Sequence, residues 1–172
     1  MPGRLRPAPV AAPIMAARIV AAPLVAVLLV TWAYGTARAQ DAESLRMMAL
    51  DLYHEARSEG REGMVAVGWV VLNRIADPAY PDDVVAVVTQ KKPGQGCEWG
   101  WWCDGRPDRP TEADMWALAQ DVAADLLGGA PPPDPTGGAL WFHETFRDRP
   151  AWMGDQVRRT ATIGRHHFYA RN

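Results

Sequence analysis

The feature that most constrains the fold is a segment in the middle of the chain that has almost no polar face. Within residues 64–72, eight side chains are apolar: Met64, Val65, Ala66, Val67, Trp69, Val70, Val71 and Leu72. A helix that is apolar on all sides is stable only when other elements surround it. The valines would also suit a strand, but the unbroken length favours a helix. We therefore predict a buried helix over residues 61–75.

An amphipathic helix is predicted over residues 42–57, immediately before the buried helix. Its apolar residues recur at helical spacing: Leu45, Met48, Ala49, Leu52, Tyr53 and Ala56. Gly60 is a typical helix terminator. Glu55 lies at the border of the apolar stripe and near the negative end of the helix, and both partial burial and the helix dipole raise a carboxyl pKa. Glu55 is therefore our candidate general acid; an ordinary solvated glutamate is the alternative.

Two more helices and two strands complete the predicted fold. Pro81 is expected to open a third helix whose buried side carries Val84, Val85, Val87 and Val88. Thr111 is expected to cap a fourth helix that ends at Gly128. Strand-like runs cover residues 139–146 and 160–169. The pattern predicts a mainly helical α+β domain with four helices and a small C-terminal β-hairpin.

The first 39 residues are typical of a secretory signal. Arginines precede an apolar run, residues 19–34, and Ala37-Arg38-Ala39 supplies the small residues that a signal peptidase prefers. The predicted domain is then residues 40–172. An uncleaved membrane anchor and a start at Met15 are the alternatives.

The charge of the exported part argues against nucleic-acid binding. Removing residues 1–39 takes away four arginines and no acidic residue, so the formal net charge of −2 becomes −6. No basic run is present that could follow a phosphate backbone. We expect no DNA or RNA partner.

Two cysteines flank a loop rich in tryptophan. Export places Cys97 and Cys103 in an oxidising compartment, so we expect them to be paired. Between them lie Trp99, Trp101 and Trp102, whose flat faces could stack on sugar rings in a groove. The alternative is that these tryptophans fold back into a small satellite core.

A glycosidase that uses two carboxylates would need a partner for Glu55. Glu59, Glu98 and Asp104 are the candidates, and their separation from Glu55 would decide between retention and inversion.

A metal site is not expected. The four histidines are His54, His143, His166 and His167, and the sequence after His54-Glu55 lacks the second histidine of a zinc-binding H-E-x-x-H motif. We expect His54 to face away from the stripe that carries Glu55. Ser44 and Ser58 lie in no nucleophile elbow, so the sequence predicts neither a metal nor a cofactor.

Several motifs together resemble the SleB-type cell wall hydrolases, the spore-cortex-lytic and related enzymes. Tyr53-x-Glu55-Ala56-Arg57-x-Glu59-Gly60-x-Glu62-Gly63, followed by the segment 66–74, is similar to the first half of that family. Segment 95–105 resembles its Cys-Gln-Phe…Cys-Asp-Gly segment, segment 138–144 its Gly-Ala-Leu aromatic strand, and segment 163–169 its closing motif. Glu98 and Trp99 stand where the family usually has Gln and Phe.

The resemblance implies a lysozyme-like or resuscitation-factor-like catalytic domain that acts on peptidoglycan as a lytic transglycosylase. The glutamate that matches Glu55 would protonate the bond between N-acetylmuramic acid and N-acetylglucosamine, and then act as base while the muramyl 6-hydroxyl closes a 1,6-anhydro ring. The expected groove residues are Glu59, Gln95, Glu98, Trp99, Trp101, Trp102, Asp104, His143 and His166.

Two other functions remain open at this point. A muramidase would use water and a second carboxylate, and a non-catalytic glycan-binding module would need the tryptophans but not Glu55. In each case the expected partner is the glycan strand, and the expected location is the periplasm or the cell wall.

Overall fold

The computed structural model describes residues 41–172 without residues 93 and 95. The main elements of this part are four helices and a three-stranded sheet. The predicted leader, residues 1–39, and Gln95 lie outside the described residues. Within residues 41–172, no helix is both long enough and apolar enough to cross a membrane.

The helices follow the predicted order. Helix α1 covers residues 41–56. A short 3₁₀ turn (Arg57–Glu59) leads into α2 (Gly60–Ala76), followed by α3 (Val84–Val88) and α4 (Ala113–Leu127). The prediction of a mainly helical α+β domain is confirmed.

Helix α2 is the centre of the core, as its apolar sequence predicts. Its side chains Met64, Val67, Val70 and Val71 are fully buried. Gly68 lets α4 come close, because a Cβ there would lie 2.2 Å from the Leu126 side chain. Surrounded in this way, α2 holds the end of α1 and the sheet in fixed positions.

The starts of α3 and α4 differ from the prediction. Helix α3 begins after Asp83, whose carboxylate accepts a hydrogen bond from the Ala86 N–H at 2.9 Å, and not at Pro81. Thr111 does not cap α4. The Tyr53 hydroxyl of α1 instead accepts hydrogen bonds from the backbone N–H groups of Thr111 (3.0 Å) and Glu112 (3.1 Å). A long-range partner thus fixes the two backbone amides immediately before α4.

The C-terminal region contains three antiparallel strands. Strands β3 (Trp141–Glu144), β4 (Val157–Ile163) and β5 (His166–Arg171) are arranged with β5 in the middle. The predicted single strand over residues 160–169 is wrong, because Gly164 and Arg165 form a two-residue turn within it. Gly164 has a φ of 55°, which suits such a tight hairpin turn.

The tryptophan-rich loop carries a small strand pair. Strands β1 (Lys91–Lys92) and β2 (Gly96–Cys97) are antiparallel, and a 3₁₀ helix (Gly100–Cys103) follows. The predicted pairing of the two cysteines is confirmed by a disulfide whose Cα atoms are 5.9 Å apart.

Candidate functional site

Glu55 is in the last turn of α1 and faces a groove between that helix and the sheet. It lines two adjoining cavities, of about 440 and 290 Å³, and is partly buried. Three other residues line both cavities: His54, Glu144 and His166. Glu55 therefore lies where the two cavities of the groove meet.

The pKa of Glu55 is raised from 4.5 to about 7, and burial is the main cause. The negative charge of Glu144 raises this pKa further, and the guanidinium of Arg74 opposes both effects. A carboxyl with a pKa near neutrality can donate a proton and take it back at physiological pH. The predicted raised pKa of Glu55 therefore has a physical basis in the fold.

The raised pKa of Glu55 makes the stability of the protein depend on pH. The folded protein binds this proton more tightly than the unfolded chain, so the contribution of Glu55 to stability is greatest below pH 4.5 and is lost as the pH rises to about 7. We expect Glu55→Gln to raise the free energy of unfolding by roughly 2–3 kcal/mol at pH 8 and to change it little at pH 4. Urea denaturation at both pH values measures this difference. The exposed Glu62 is the control, and an equal effect of Glu62→Gln would contradict the assignment.

Three carboxylates were predicted as partners of Glu55, and each has a different environment. Glu59 accepts hydrogen bonds from the Arg165 backbone N–H (2.8 Å) and from the Arg165 Nε (2.7 Å). Although burial raises the pKa of Glu59, these bonds more than offset that effect and lower it overall. Glu59 lines the smaller cavity, but its carboxylate is engaged in fixing the β4–β5 turn against the end of α1.

Glu98 and Asp104 are less suited to be the second carboxylate. Glu98 lines the larger cavity and forms ion pairs with Lys92 and with Arg74, whose Nη1 lies 3.7 Å from Glu98 Oε2. Asp104 is exposed, accepts a hydrogen bond from the Arg106 N–H at 2.8 Å, and lines neither cavity of the groove. The carboxylate that shares both cavities with Glu55 is Glu144, which the sequence analysis did not select.

The tryptophans of the disulfide loop mostly pack inward. Trp99 lines the larger cavity but is only 3% exposed, and its indole N–H donates to the Val87 carbonyl at 3.2 Å. Trp101 is 8% exposed and half-buried Trp102 packs against it, and neither lines the groove. For Trp101 and Trp102 the predicted groove position is wrong, because the core around α1 takes up their apolar surface.

Trp101 also connects the core to the site. Its indole N–H donates to Asp51 Oδ1 at 2.9 Å, and its ring stacks on the His54 ring with centroids 4.7 Å apart. Asp51 is fully buried one turn before Glu55, and its pKa is raised well above the usual value by burial and by the Glu55 charge. The prediction that His54 faces away from Glu55 is wrong, since the stacking on Trp101 holds the His54 ring at the groove.

Aromatic surface in the groove comes from the sheet side. Trp152 is 58% exposed and forms an edge-to-face pair with Trp141, with centroids 5.9 Å apart; both line the larger cavity. Phe146, 72% exposed, lines the smaller one. Exposed aromatic rings on either side of a carboxyl group are well placed to stack on sugars.

The two predicted cleft histidines lie on opposite faces of the sheet. His166 is buried in the groove, and burial lowers its pKa, although the nearby Glu59 and Glu144 charges act in the other direction. His143 reaches the groove only at the edge of the sheet and is directed to the other face, where its ring stacks on Tyr169. Among the described residues, no three His, Cys, Asp or Glu side chains are grouped so that they could hold a metal ion.

Sequence reasoning missed Glu144, Arg74 and Trp152. Glu144 ends a strand in which His143 was selected as the groove residue. Trp152 falls in a turn without a periodic pattern. For Arg74, the signal was present: it is a charged residue at the end of an otherwise apolar segment, and such a residue is buried only with partners.

Comparison with known proteins identifies relatives of this domain by sequence. Residues 58–169 match the cell wall hydrolase family, a match that begins three residues after Glu55. The spore cortex-lytic enzyme of Halalkalibacterium halodurans is 32% identical over 130 residues, which are 72% of this chain and 34% of that protein. The spore cortex-lytic enzyme of Bacillus subtilis is 30% identical over 127 residues, 72% of this chain and 36% of that protein.

Two solved structures of SleB catalytic domains are similar to this chain in fold and in sequence. The catalytic domain of Bacillus cereus SleB has a TM-score of 0.53 and 25% identity, and the match covers 74% of this chain and 89% of that one. The catalytic domain of SleB from Bacillus anthracis, a germination-specific lytic transglycosylase, also has a TM-score of 0.53, with 27% identity and coverage of 74% and 93%. The chain spans about a third of the length of the curated relatives it matches. By sequence and by fold, this chain belongs to the cell wall hydrolase family.

Proposed function

We propose that this protein cleaves the glycan strands of peptidoglycan as a lytic transglycosylase in which Glu55 is first the acid and then the base. The observation that carries the proposal is a carboxyl group with a pKa of about 7 at the junction of the two cavities of the groove. The family membership and the relatives named lytic enzymes support the same substrate class.

The proposed reaction begins with protonated Glu55. Its proton passes to the glycosidic oxygen as the bond from that oxygen to C1 of N-acetylmuramic acid breaks, which leaves positive charge on the muramyl ring. The Glu55 carboxylate then accepts the proton of the muramyl 6-hydroxyl while the 6-oxygen bonds to C1. The products are a 1,6-anhydro ring and a free N-acetylglucosamine hydroxyl, and Glu55 is protonated again.

The surrounding residues have roles that follow from their charge and exposure. The Glu144 carboxylate faces the same cavities and would stabilise the positive charge that develops on the sugar. Exposed Trp152 and Phe146 would stack on sugars on either side of the cleaved bond. His54 and His166 border both cavities and would complete the walls around the reacting sugar.

A muramidase-type hydrolase is the second candidate, and one observation favours it. Glu144 shares both cavities with Glu55 and raises its pKa, so a second carboxylate is available near the acid. In that reaction Glu144 would activate water or attack C1, and the product would have a reducing end.

Export to the periplasm or the cell wall is part of the proposal. The predicted leader over residues 1–39 and the disulfide between Cys97 and Cys103 support it, because disulfides persist in oxidising compartments.

Product analysis distinguishes the two reactions. We expect purified peptidoglycan digested with the full chain to give anhydro-muropeptides by mass spectrometry, each lighter by one water than the hydrolytic product. Glu144→Gln should still yield anhydro ends, at a rate lowered about tenfold through loss of charge stabilisation. Exposed Asp104 is the control, and Asp104→Asn should behave as the native protein. Reducing ends that disappear in Glu144→Gln would establish the hydrolase instead.

A further inference from the structure

A third cavity, of about 410 Å³, lies next to the groove on the other face of the sheet. Three arginines, Arg147, Arg149 and Arg159, line it together with His143 and His167. The proposed reaction uses none of its arginines. A concave surface with several guanidinium groups is suited to bind carboxylates or phosphates.

The cavity continues from the groove around the edge of the sheet. His143 and Arg147 line both this cavity and the larger cavity of the groove. Strand β3 is an edge strand whose side chains alternate, so Glu144 faces the groove while His143 faces the other side. A substituent on a sugar bound beside Glu55 could therefore pass the β3 edge and enter the cavity.

Hydrogen bonds within the fold hold the walls of this cavity in place. Arg149 donates to the carbonyl oxygens of Met153, Gly154 (2.8 Å) and Val157, and its guanidinium lies 5.4 Å from the centre of the Tyr169 ring. A ligand would thus meet a cation that is already ordered, which lowers the entropic cost of binding.

Hydrogen-bond partners fix the orientation of both histidine rings. His143 Nδ1 donates to the Glu144 carbonyl oxygen, which only accepts, at 2.8 Å, and His143 Nε2 lies 3.0 Å from the Tyr169 hydroxyl. His167 Nε2 is 3.5 Å from Arg159 Nη1. Because Arg159 only donates, His167 Nε2 accepts, and His167 Nδ1 donates to Thr162 Oγ1 at 2.8 Å. The three arginines supply positive charge that does not depend on the protonation of either ring.

The arginines of the cavity outnumber its acids. Arg147 forms an ion pair with Glu144, its Nε lying 2.7 Å from Glu144 Oε2, and Asp148 also lines the cavity. Within the described part of the chain, neither Arg149 nor Arg159 lies within 4.0 Å of a carboxylate oxygen. Neither guanidinium is neutralised by a carboxylate, so both are available to an anion from outside the fold.

We propose that this cavity binds a carboxylate of the peptide stem that muramic acid carries, so that the protein selects stem-bearing glycan over bare glycan. The proposal rests on the proposed function. The stem is covalently attached to the sugar on one side of the cleaved bond, which the groove holds next to the cavity entrance. This attachment favours a stem carboxylate over a separate phosphate polymer, although both would offer an anion to the arginines.

Two substrates and two matched arginine variants test the selection. Arg159→Gln should lower kcat/KM about tenfold on peptidoglycan with intact stems, as loss of one charged hydrogen bond predicts, and should not change it on glycan freed of stems by an amidase. Arg158 is the control, because this exposed neighbour lines a different cavity. Equal effects of Arg158→Gln and Arg159→Gln, or equal loss on both substrates, would overturn the proposal.

A binding measurement separates this proposal from the proposed function. A soluble stem tetrapeptide should shift the NMR signals of the His167 ring in the full chain, and should not do so in Arg159→Gln. If glycerol phosphate shifts the signals and the tetrapeptide does not, the ligand is a phosphate and the proposal is wrong. Binding needs no cleavage, so tetrapeptide binding without any glycan cleavage would leave this site standing and refute the proposed function alone.

Discussion

Replacing Glu55 by glutamine is expected to lower the rate of peptidoglycan cleavage by roughly 10²–10⁴-fold, the usual contribution of a general acid. Glutamine keeps the size of the side chain and its polar contacts but has no acidic proton to transfer to the glycosidic oxygen. The native rate should fall as the pH rises above about 7, because Glu55 then loses the proton that the first step requires. The variant should have no such alkaline limb in its residual activity. Turbidity loss of a peptidoglycan suspension between pH 5 and 9 measures both effects.

The exposed Glu62 is the matched control for this experiment, since it lies seven residues later in the first turn of α2. Glu62→Gln should retain the native rate and the native pH profile. The stability measurement described above shows whether Glu55→Gln is folded, because this variant should be more stable than the native protein at pH 8. A folded Glu55→Gln variant with native activity would remove Glu55 from the reaction.

Replacing Arg74 by methionine is expected to cost about 3–5 kcal/mol of stability, the usual effect of breaking a buried ion pair. Arg74 is 4% exposed, and its Nε donates to the Leu140 carbonyl at 2.8 Å. Its guanidinium lies over the rings of Trp99 (4.9 Å to the centroid) and Tyr80 (5.1 Å). Methionine would fill the space of the side chain but leave the Glu98 charge and the Leu140 carbonyl without this partner.

Thermal denaturation measures the effect of Arg74→Met, which should lower Tm by roughly 10–20 °C for a domain of this size. The control is Arg61→Met, because Arg61 forms exposed ion pairs with Asp121 and Asp125 that contribute about 0–1 kcal/mol. Similar losses for the two variants would show that the buried network around Arg74 contributes no special stability. The cost is expected because Arg74 ties the last turn of α2 to Leu140, the residue before β3, the strand that carries Glu144.

The helices were predictable because their signals are local. The apolar segment 61–75 has no polar face, so it could only be a buried element, and α2 is the centre of the core. The stripe of α1 placed Glu55 at the border of an apolar face, and its position there does not depend on the rest of the fold. The turn at Gly164 was missed because the residues on both sides of it have the same strand-like character.

The sequence by itself determined the α+β class, the order of the helices, the pairing of Cys97 with Cys103 and the choice of Glu55 as candidate acid. These properties depend on periodicity, residue type and motif, which a chain displays without being folded. Only the tertiary structure decided which groups face Glu55. Glu144, Arg74 and Trp152 lie 19 or more positions away along the chain, and the packing of the sheet against α1 and α2 brings them to the groove. The same packing turned Trp101 inward, because a buried indole with the Asp51 carboxylate as hydrogen-bond partner is more stable than an exposed one.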